Sequence, residues 1–258
     1  FQFFFHILHL KIGCKVTPFF HLRHIIDLFL LTLLAVKTGS ITGITMNYQT
    51  YIFDLDGTLL DSLTDLYLSC NVALKQHGLP ERSYEEVRMF VGNGVKKLME
   101  RAVPADTPTE VFNQVYEDFR AHYLLHNLDH TQPYAGISAM LQALKANGKQ
   151  LAVVSNKFYA ATQALVKHFF GDTISVAIGE REQIRKKPAP DTVEEALRQL
   201  GVSREGAVYV GDSDVDILTA RNTHLPCISV LWGFRDKEFL LAKGATTLVA
   251  RPEEILDI

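Results

Sequence analysis

Short runs of β-forming residues alternate with helical patterns over most of this chain, and this alternation constrains its fold more than any other feature. Strands separated by helices pair in parallel, because each helix carries the chain back along the sheet before the next strand begins. We therefore predict an α/β fold with a Rossmann-like parallel sheet and helices on both faces. The six predicted strands are TYIFD from Thr50, QLAVVS from Gln150, ISVAIG from Ile174, AVYVG from Ala207, CISVLW from Cys227 and TTLVA from Thr246.

Apolar residues at helical spacing predict the helices between these strands. One such stripe follows the first strand, where Ser62 or Asp61 can cap the helix. Another precedes the second strand and is expected to end at Gly148. The stripes are Leu63, Leu66, Tyr67, Cys70 and Leu74 in the first helix, and Ile137, Met140, Leu141 and Leu144 in the second.

The alternation is interrupted once, from about Thr64 to Gln132, where no convincing strand occurs. A helical stripe runs through this region, so we predict an all-helical insertion. Pro133 and Gly136 in TQPYAG mark the return to the sheet domain. The stripe consists of Phe112, Val115, Tyr116, Phe119 and Tyr123.

The composition is that of a globular protein and excludes several functions. The chain has 258 residues, of which 47% are hydrophobic and 21% charged, and its net charge is −3. No charged tail or basic patch indicates a nucleic-acid partner. Cys14, Cys70 and Cys227 are too few and too scattered for a disulfide framework or a CxxC metal site, so we expect a reducing, cytoplasmic compartment.

Residues 1–45 are more apolar and aromatic than the rest and contain no methionine. The longest apolar run, Leu28 to Val36, is well short of the roughly 20 residues that span a bilayer, so we expect no stable membrane association. We interpret residues 1–45 as an N-terminal extension of upstream sequence translated in frame, with Met46 as the true start. A cleaved or anchoring leader is the alternative.

Two aspartates, Asp54 and Asp56, follow the first predicted strand in the sequence DLDGT. Residues two positions apart on a strand face the same way, so both carboxylates can reach one small site. Two carboxylates held close together repel each other unless a bound cation or a proton neutralises part of their negative charge. The pair therefore suggests chemistry.

Polar segments also lie near the ends of other predicted strands. In open parallel sheets, ligands bind outside the carboxyl ends of the strands, so we expect these side chains to surround one crevice. Carboxylates bind Mg²⁺ and one of them can attack phosphorus, while a lysine and a hydroxyl offset charge on phosphoryl oxygens. This inventory suits phosphoryl transfer. The segments are SNK at 155–157, RKKPAPD at 185–191 and GDSDVD at 211–216.

In their order and separations, DLDGT, SNK, the Lys187–Pro188 pair and GDSDVD resemble the motifs of the haloacid dehalogenase (HAD) superfamily, and of its phosphoglycolate phosphatase-like members in particular. The resemblance extends from about Tyr48 to Ile258. It implies a HAD-like core at 46–63 and 133–258, with a small helical cap at 64–132. It further implies a phosphoric monoester hydrolase that uses Mg²⁺ and acts on a small phosphorylated metabolite such as phosphoglycolate.

The resemblance assigns the carboxylates different roles. Asp54 would be the nucleophile that forms an aspartyl-phosphate. Asp56 would be the general acid and base, which protonates the leaving alkoxide and then activates water. The Asp54 carboxylate, the Asp56 backbone carbonyl and Asp212 would ligate Mg²⁺, and Asp216 would support the site from nearby.

The remaining motif residues would handle the phosphoryl group. By the same resemblance, Ser155 and Asn156 would bind it and Lys187 would neutralise it. Lys186 is a weaker candidate, because the family motif places its lysine next to proline. Asp214 falls on a variable position of the family pattern and is left without a role.

A segment of the predicted cap, FVGNGVKK from Phe90 to Lys97, resembles the loop that reaches over the substrate in phosphoglycolate phosphatase-like proteins. Gly92, Asn93 and Gly94 would then contact the substrate. The alternative is that this Gly-x-Gly only ends a helix. Closing a cap excludes water and lets remote contacts select the leaving group.

Other functions remain open. A β-phosphoglucomutase-like phosphotransferase and a pyrophosphatase are alternatives within the same superfamily. A non-catalytic binding module of the same fold would lack a nucleophile or a metal carboxylate, and none is missing here. The identity of the substrate and the oligomeric state are left open by the sequence.

Two further groups of residues have structural interpretations. Three histidines spaced four apart offer zinc ligands, but at a helix end we expect them to be solvated. Three residues at and just after the end of the fifth predicted strand have a position that could flank the crevice, but we favour core packing or a surface turn for them. The groups are His122, His126 and His130, and Trp232, Phe234 and Arg235.

Overall fold

The structure, a computed structural model, describes residues 48–258. The interpretation of residues 1–45 therefore lies outside the described residues. Within residues 48–258, none of the helices combines the length and the apolar character that crossing a membrane requires.

All six predicted strands form, and they pair in parallel in one sheet with the order β5-β4-β1-β6-β7-β8. Two further strands, β2 and β3, form a short antiparallel pair of their own. The strands are β1 Thr50–Phe53, β2 Leu60–Asp61, β3 Gln132–Pro133, β4 Gln150–Phe158, β5 Val176–Glu180, β6 Ala207–Gly211, β7 Cys227–Val230 and β8 Thr247–Val249.

Four helices, α1 to α4, lie between β2 and β3, so the predicted helical insertion is confirmed. The exact boundaries of a cap domain stay a prediction. The helices are α1 Leu63–Gln76, α2 Tyr84–Phe90, α3 Val95–Ala102, α4 Thr109–His126, α5 Ile137–Ala146, α6 Tyr159–Phe170, α7 Asp191–Leu200, α8 Asp214–Asn222 and α9 Lys237–Ala242, with 3₁₀ turns at Gly171–Thr173 and Pro252–Asp257.

The two helices predicted from apolar stripes, α1 and α5, form where expected. Gly148 follows α5 with φ 74°, a left-handed conformation that glycine adopts readily. Ser62 occupies the N-cap position of α1 as predicted, but its hydroxyl does not bond the helix. It donates to the Asp56 carboxylate instead.

Strand β1 lies inside the sheet and contributes to two hydrophobic cores. Tyr51 and Phe53 pack on one face against α5 and α6, and Ile52 packs on the other against α7. Because side chains alternate along a strand, both faces must be apolar where helices cover both. Each large apolar side chain that is fully buried contributes about 1.5–3 kcal/mol, so β1 is a rigid base for the residues that follow it.

The insertion has a core of its own, and its two ends are joined at Asp65, in the first turn of α1. The Asp65 carboxylate is buried and accepts hydrogen bonds from the backbone N–H groups of His130 and Thr131, at 3.0 and 2.8 Å. The Thr131 hydroxyl donates to it at 2.7 Å. One carboxylate thus joins the segment entering the insertion to the segment leaving it.

Asp65→Asn should destabilise the fold by about 1–3 kcal/mol, because the buried N–H donors would lose an acceptor. Burial alone would raise the pKa of Asp65, but hydrogen bonds from Thr131 and His130 outweigh it and lower the pKa. The stabilisation is therefore complete above the unfolded pKa of about 4 and is lost as pH falls through the lower folded pKa. Urea unfolding at pH 7 and pH 3 should show a difference between wild type and variant that shrinks in acid.

The matched control is Asp129→Asn, which removes an exposed carboxylate paired with His126. This exposed pair should contribute less than about 1 kcal/mol. Equal losses for the two variants would contradict the role given to Asp65.

Candidate active site

A cleft lies at the carboxyl ends of β1, β4 and β6, and the insertion covers it. The residues on the sheet side are Asp54, Asp56, Ser155, Asn156, Lys157, Asp212 and Ser213, and those from the insertion are Leu66, Val91, Gly92, Gly94, Val95 and Leu98. Phe234 and Arg235, from the loop after β7, complete the lining. Ligands bind at this edge of open parallel sheets, so the position fits a reaction site.

Asp54 and Asp56 both face the cleft although β1 ends at Phe53. The side-chain alternation continues past the last residue of the strand, since Leu55 is fully buried in the core between them. Asp54 Oδ1 accepts from the Leu55 N–H at 2.7 Å and lies 2.9 Å from Lys187 Nζ. Among the described residues, no hydrogen bond or ion pair reaches Asp54 Oδ2.

Three carboxylates, Asp54, Asp212 and Asp216, come together with ligand oxygens within 4.8 Å of one another. Lys187 Nζ lies between two of them, 2.8 Å from Asp216 Oδ1 and 2.9 Å from Asp54 Oδ1. Burial and repulsion by Asp216 raise the pKa of Asp54 well above its ordinary range, and they raise that of Asp212 to about 7. A single buried ammonium facing three carboxylates leaves excess negative charge, which a cation would relieve.

The donor set fits a divalent metal. Carboxylate oxygens are the ligands that Mg²⁺ prefers, and the oxygens are already clustered. Asp216 is less free than the other two. Its Oδ1 accepts from Lys187 Nζ and from the Tyr209 hydroxyl, and its Oδ2 accepts from the Ser213 N–H and hydroxyl. Asp216 therefore holds Lys187 and the start of α8. Each Asp212 oxygen accepts one hydrogen bond, from the Thr58 hydroxyl at 3.2 Å and from the Phe234 N–H at 2.8 Å, and so keeps a lone pair for a metal.

Two glycines allow Asp212 to approach β1. A Cβ on Gly57 would collide with the Asp212 carboxylate, and a Cβ on Gly233 would collide with Asp212 Cβ and with the Gly57 carbonyl. Gly57 also has φ 86°, in the left-handed region. Close approach and positive φ together explain why the turn after Asp56 begins with glycine.

Lys157 is a site residue to which sequence reasoning gave no role. Its ammonium is buried and contacts both oxygens of Asp56, at 2.8 and 2.9 Å. The Ser62 hydroxyl donates to the same carboxylate, and the Tyr123 ring of α4 lies 4.7 Å from Lys157 Nζ. The sequence did contain one indication of a role for Lys157, because it directly follows Ser155 and Asn156, to which phosphoryl binding was assigned. The Asp56 carboxylate is thus held in one orientation by a charged partner.

Ser155 and Asn156 lie at the irregular end of β4, where the register with β5 shifts after Val154. Both are buried and line the cleft. Asn156 Nδ2 donates to the carbonyl of Gly92 at 3.2 Å and to that of Lys187 at 3.1 Å, so it links the insertion to the sheet domain. Lys186 lies apart from this group and pairs with Glu180.

The structure brings Gly92 and Gly94 to the cleft, but not Asn93. Asn93 Oδ1 accepts from Arg101 Nη2 at 2.8 Å, within the insertion. Gly94 is the N-cap residue of α3, so the segment does end one structural element and begin another. Substrate contact by these three residues stays a prediction.

For the loop after β7, which carries Trp232, Phe234 and Arg235, the sequence favoured core packing or a surface turn, and the structure agrees only in part. Phe234 is buried in the core of the insertion as that interpretation expects, but it also lines the cleft. For Arg235 the interpretation is wrong, because this buried guanidinium lines the cleft instead of packing in an apolar core or a surface turn. Trp232 Nε1 donates to the carbonyl of Thr58 and supports the turn that carries Asp56.

The rings of His122 and His126 stack with their centroids 4.2 Å apart, but the histidines at 122, 126 and 130 do not form a metal site. Helix α4 ends at His126, so His130 lies beyond it. Their ring nitrogens contact three different partners, and within residues 48–258 the one group of side chains that could hold a metal is the aspartate cluster of the cleft. The three partners are Ser69 for His122, Asp129 for His126 and Asp65 for His130.

Comparison with known proteins agrees with this geometry. The family model of haloacid dehalogenase-like hydrolases matches residues 51–230. This chain belongs to the haloacid dehalogenase-like hydrolases. The predicted resemblance and fold class are confirmed.

Relatives of this HAD hydrolase include a phosphoglycolate phosphatase from Aquifex aeolicus, 36% identical over 185 residues that cover 71% of this chain and 84% of the relative. The crystal structure of a protein from Lactobacillus delbrueckii matches this chain with 37% sequence identity and a TM-score of 0.78. The match covers 81% of this chain and 97% of that protein. A predicted phosphoglycolate phosphatase from Haemophilus somnus has 29% identity and a TM-score of 0.76, covering 83% and 98%.

Gly57→Ala should destabilise this HAD hydrolase by at least about 2 kcal/mol, because the new methyl group meets Asp212 in addition to straining the backbone. Gly78→Ala is the matched control. Gly78 also has positive φ, 67°, but nothing lies within 4 Å of its missing Cβ. It should cost only the backbone strain, about 1 kcal/mol. Equal losses in urea unfolding would show that the approach of Asp212 does not constrain position 57.

Proposed function

We propose that this HAD hydrolase is a Mg²⁺-dependent phosphatase that hydrolyses a small phosphomonoester of the phosphoglycolate type through an aspartyl-phosphate on Asp54. The observation that carries the proposal is the unpaired Oδ2 of Asp54 in a cleft where a second carboxylate, that of Asp56, is held by a lysine. The names of the relatives support the choice of substrate.

The first step is attack by Asp54 Oδ2 on phosphorus, with cleavage of the bond to the ester oxygen. Oδ1 is fixed by the Leu55 N–H and by Lys187, which keeps the carboxylate oriented. The Ser155 hydroxyl lies beside it to bind a phosphoryl oxygen. Both N–H groups of the Asn156 side chain donate to the carbonyls of Gly92 and Lys187, so binding by this amide would require one of these hydrogen bonds to open. The roles of Ser155, Asn156 and Lys187 are part of the proposal.

Asp56 supplies the proton transfers. It would donate a proton to the departing alkoxide, and then take one from the water that hydrolyses the aspartyl-phosphate. Lys157 and Ser62 hold its carboxylate at the cleft wall. Bound Mg²⁺ would offset negative charge on the phosphoryl group, and Asp54, Asp212 and the Asp56 carbonyl are the residues that would hold it, with Asp216 in support.

The helical insertion is proposed as a cap over this site, at 64–132, with residues 46–63 and 133–258 forming the catalytic core. Apolar side chains such as Leu66, Val91 and Leu98 line its side of the cleft, which would exclude water during the reaction. A mutase would return the phosphoryl group to a sugar, and a pyrophosphatase would release two phosphates. Three measurements distinguish these alternatives: the release of free phosphate from phosphomonoesters, the formation of an isomeric sugar phosphate, and the consumption of pyrophosphate.

Asp54→Asn and Asp56→Asn should fail in different ways. Asp54→Asn has no attacking carboxylate, so activity falls to background and no label is taken up from an activated aryl ³²P-phosphate. Asp56→Asn keeps the nucleophile and loses only proton transfer, a loss of about 10²- to 10⁴-fold. It should still acquire hydroxylamine-labile label, because an aryl leaving group needs little protonation. Label in the Asp54→Asn protein would refute the assignment of the nucleophile.

Addition of Mg²⁺ should raise the melting temperature of the wild type relative to the same protein in EDTA. A ligand at 100 times its Kd stabilises by about 2.7 kcal/mol, which corresponds to about 5–10 °C for a domain of this size. Asp212→Asn should abolish this shift. Asp214→Asn is the control, because Asp214 lies outside the carboxylate cluster, and it should keep the shift. Retention of the shift by Asp212→Asn would contradict the proposed ligand set.

A further inference from the structure

Arg235 is a buried cation at the cleft, and within residues 48–258 it has no carboxylate partner. Only 6% of the residue is exposed, and it lines the cleft beside Gly92. Its Nη atoms donate to backbone carbonyls of Arg88, Met89 and Val91, at 2.8–3.2 Å. Its Nε is buried and has no hydrogen-bond partner within the described part of the chain.

The electrostatics of this arrangement are incomplete. A buried charge is unfavourable unless it is paired and hydrogen-bonded. The carbonyls lie at the C-terminal end of α2, whose dipole compensates a cation only in part. Asp212 and Asp214 attract the guanidinium electrostatically, but neither forms an ion pair with it. The cleft therefore retains positive charge at this point.

The other cation of the lining does not share this property, since Lys157 is paired with Asp56. Near Arg235, a second guanidinium adds to the positive charge. Arg101 donates to the carbonyl of Phe90 and to Asn93 Oδ1, and within residues 48–258 it too has no carboxylate within ion-pair distance. The wall formed by residues 88–93 is thus bounded by two arginines that bind neutral oxygens.

We propose that Arg235 is a specificity-determining residue that binds an anionic group on the leaving-group side of the substrate. The preferred substrates are then phosphomonoesters with a carboxylate close to the ester oxygen, because the rest of the cleft roof is apolar. This inference rests on the proposed function. It names the residue that would bind the carboxylate of the substrate, and it predicts a lower kcat/KM for neutral phosphate esters of the same size.

A purely structural role makes a different prediction. Arg235 holds the end of α2, and Arg88 Nε returns a hydrogen bond to the carbonyl of Phe234 at 2.8 Å. If this pair of contacts only keeps the insertion in place, loss of either arginine should lower turnover of all substrates alike. Binding an anion instead makes the loss depend on the charge of the substrate.

The test compares 2-phosphoglycolate with 2-hydroxyethyl phosphate, in which a neutral alcohol replaces the carboxylate. Arg235→Gln should lower the ratio of their kcat/KM values by about 10- to 100-fold, the range expected for loss of a hydrogen bond to a charged group. Arg235→Lys keeps the charge and should restore part of that ratio. Arg88→Gln, the matched control, should leave the ratio unchanged. Urea unfolding of each variant identifies any that do not fold.

Each outcome decides between the roles. An unchanged ratio in Arg235→Gln, or a similar change in Arg88→Gln, would overturn the inference in favour of a structural contact. If Arg235→Gln does not fold, the wild-type ratio and Arg235→Lys still test it, since a wild type without preference for the carboxylate ester contradicts it. A wild type that hydrolyses only neutral phosphomonoesters overturns this inference and leaves the phosphatase proposal intact. A wild type that hydrolyses no phosphomonoester overturns both.

Discussion

The contact between Lys187 and two buried carboxylates underlies the arrangement of the whole cleft. Lys187 Nζ bridges Asp54 at the end of β1 and Asp216 in α8. Although burial alone would lower the pKa of Lys187, Asp216 and Asp54 outweigh it and raise the pKa, so the ammonium stays charged. Removing it would leave two buried carboxylates without a cationic partner, and breaking a buried ion pair in this way typically costs about 3–5 kcal/mol. The lysine thus allows the sheet to bring acidic residues together at one edge.

The remaining negative charge is what makes the cluster suitable for a metal. Stability and reactivity have opposite requirements here, since the fold would be more stable with fewer carboxylates. Gly57 and Gly233 show how closely the backbone approaches in order to keep Asp212 in the group. The same crowding that raises the pKa of Asp54 and Asp212 would favour binding of a divalent cation.

Much of this fold was predictable from the sequence, because period-2 and period-3.6 patterns report directly on which faces are buried. The six strands, α1, α5 and the helical insertion follow from such patterns. Motif residues at strand ends were predictable too, since parallel strands carry them to one edge. Lys157 and Arg235 were not assigned, because their roles depend on partners 101 and 144 or more residues away that no local pattern reveals. Ser62 was predicted to cap helix α1. Only the three-dimensional structure shows that its hydroxyl donates a hydrogen bond to the Asp56 carboxylate instead.

The contacts of Asp65 also determine how the helical insertion can be displaced. Its carboxylate binds both segments that connect the insertion to the sheet, so the two connections act as a single point of attachment. A body attached at one point pivots about that point and does not slide. Residues near Asp65 would then move little, whereas the segment around Gly92, which lines the cleft and contacts Arg235 and Asn156, would travel further. Opening of the cleft would therefore require the hydrogen bonds from Arg235 and Asn156 to this segment to break, while the contacts of Asp65 stay in place.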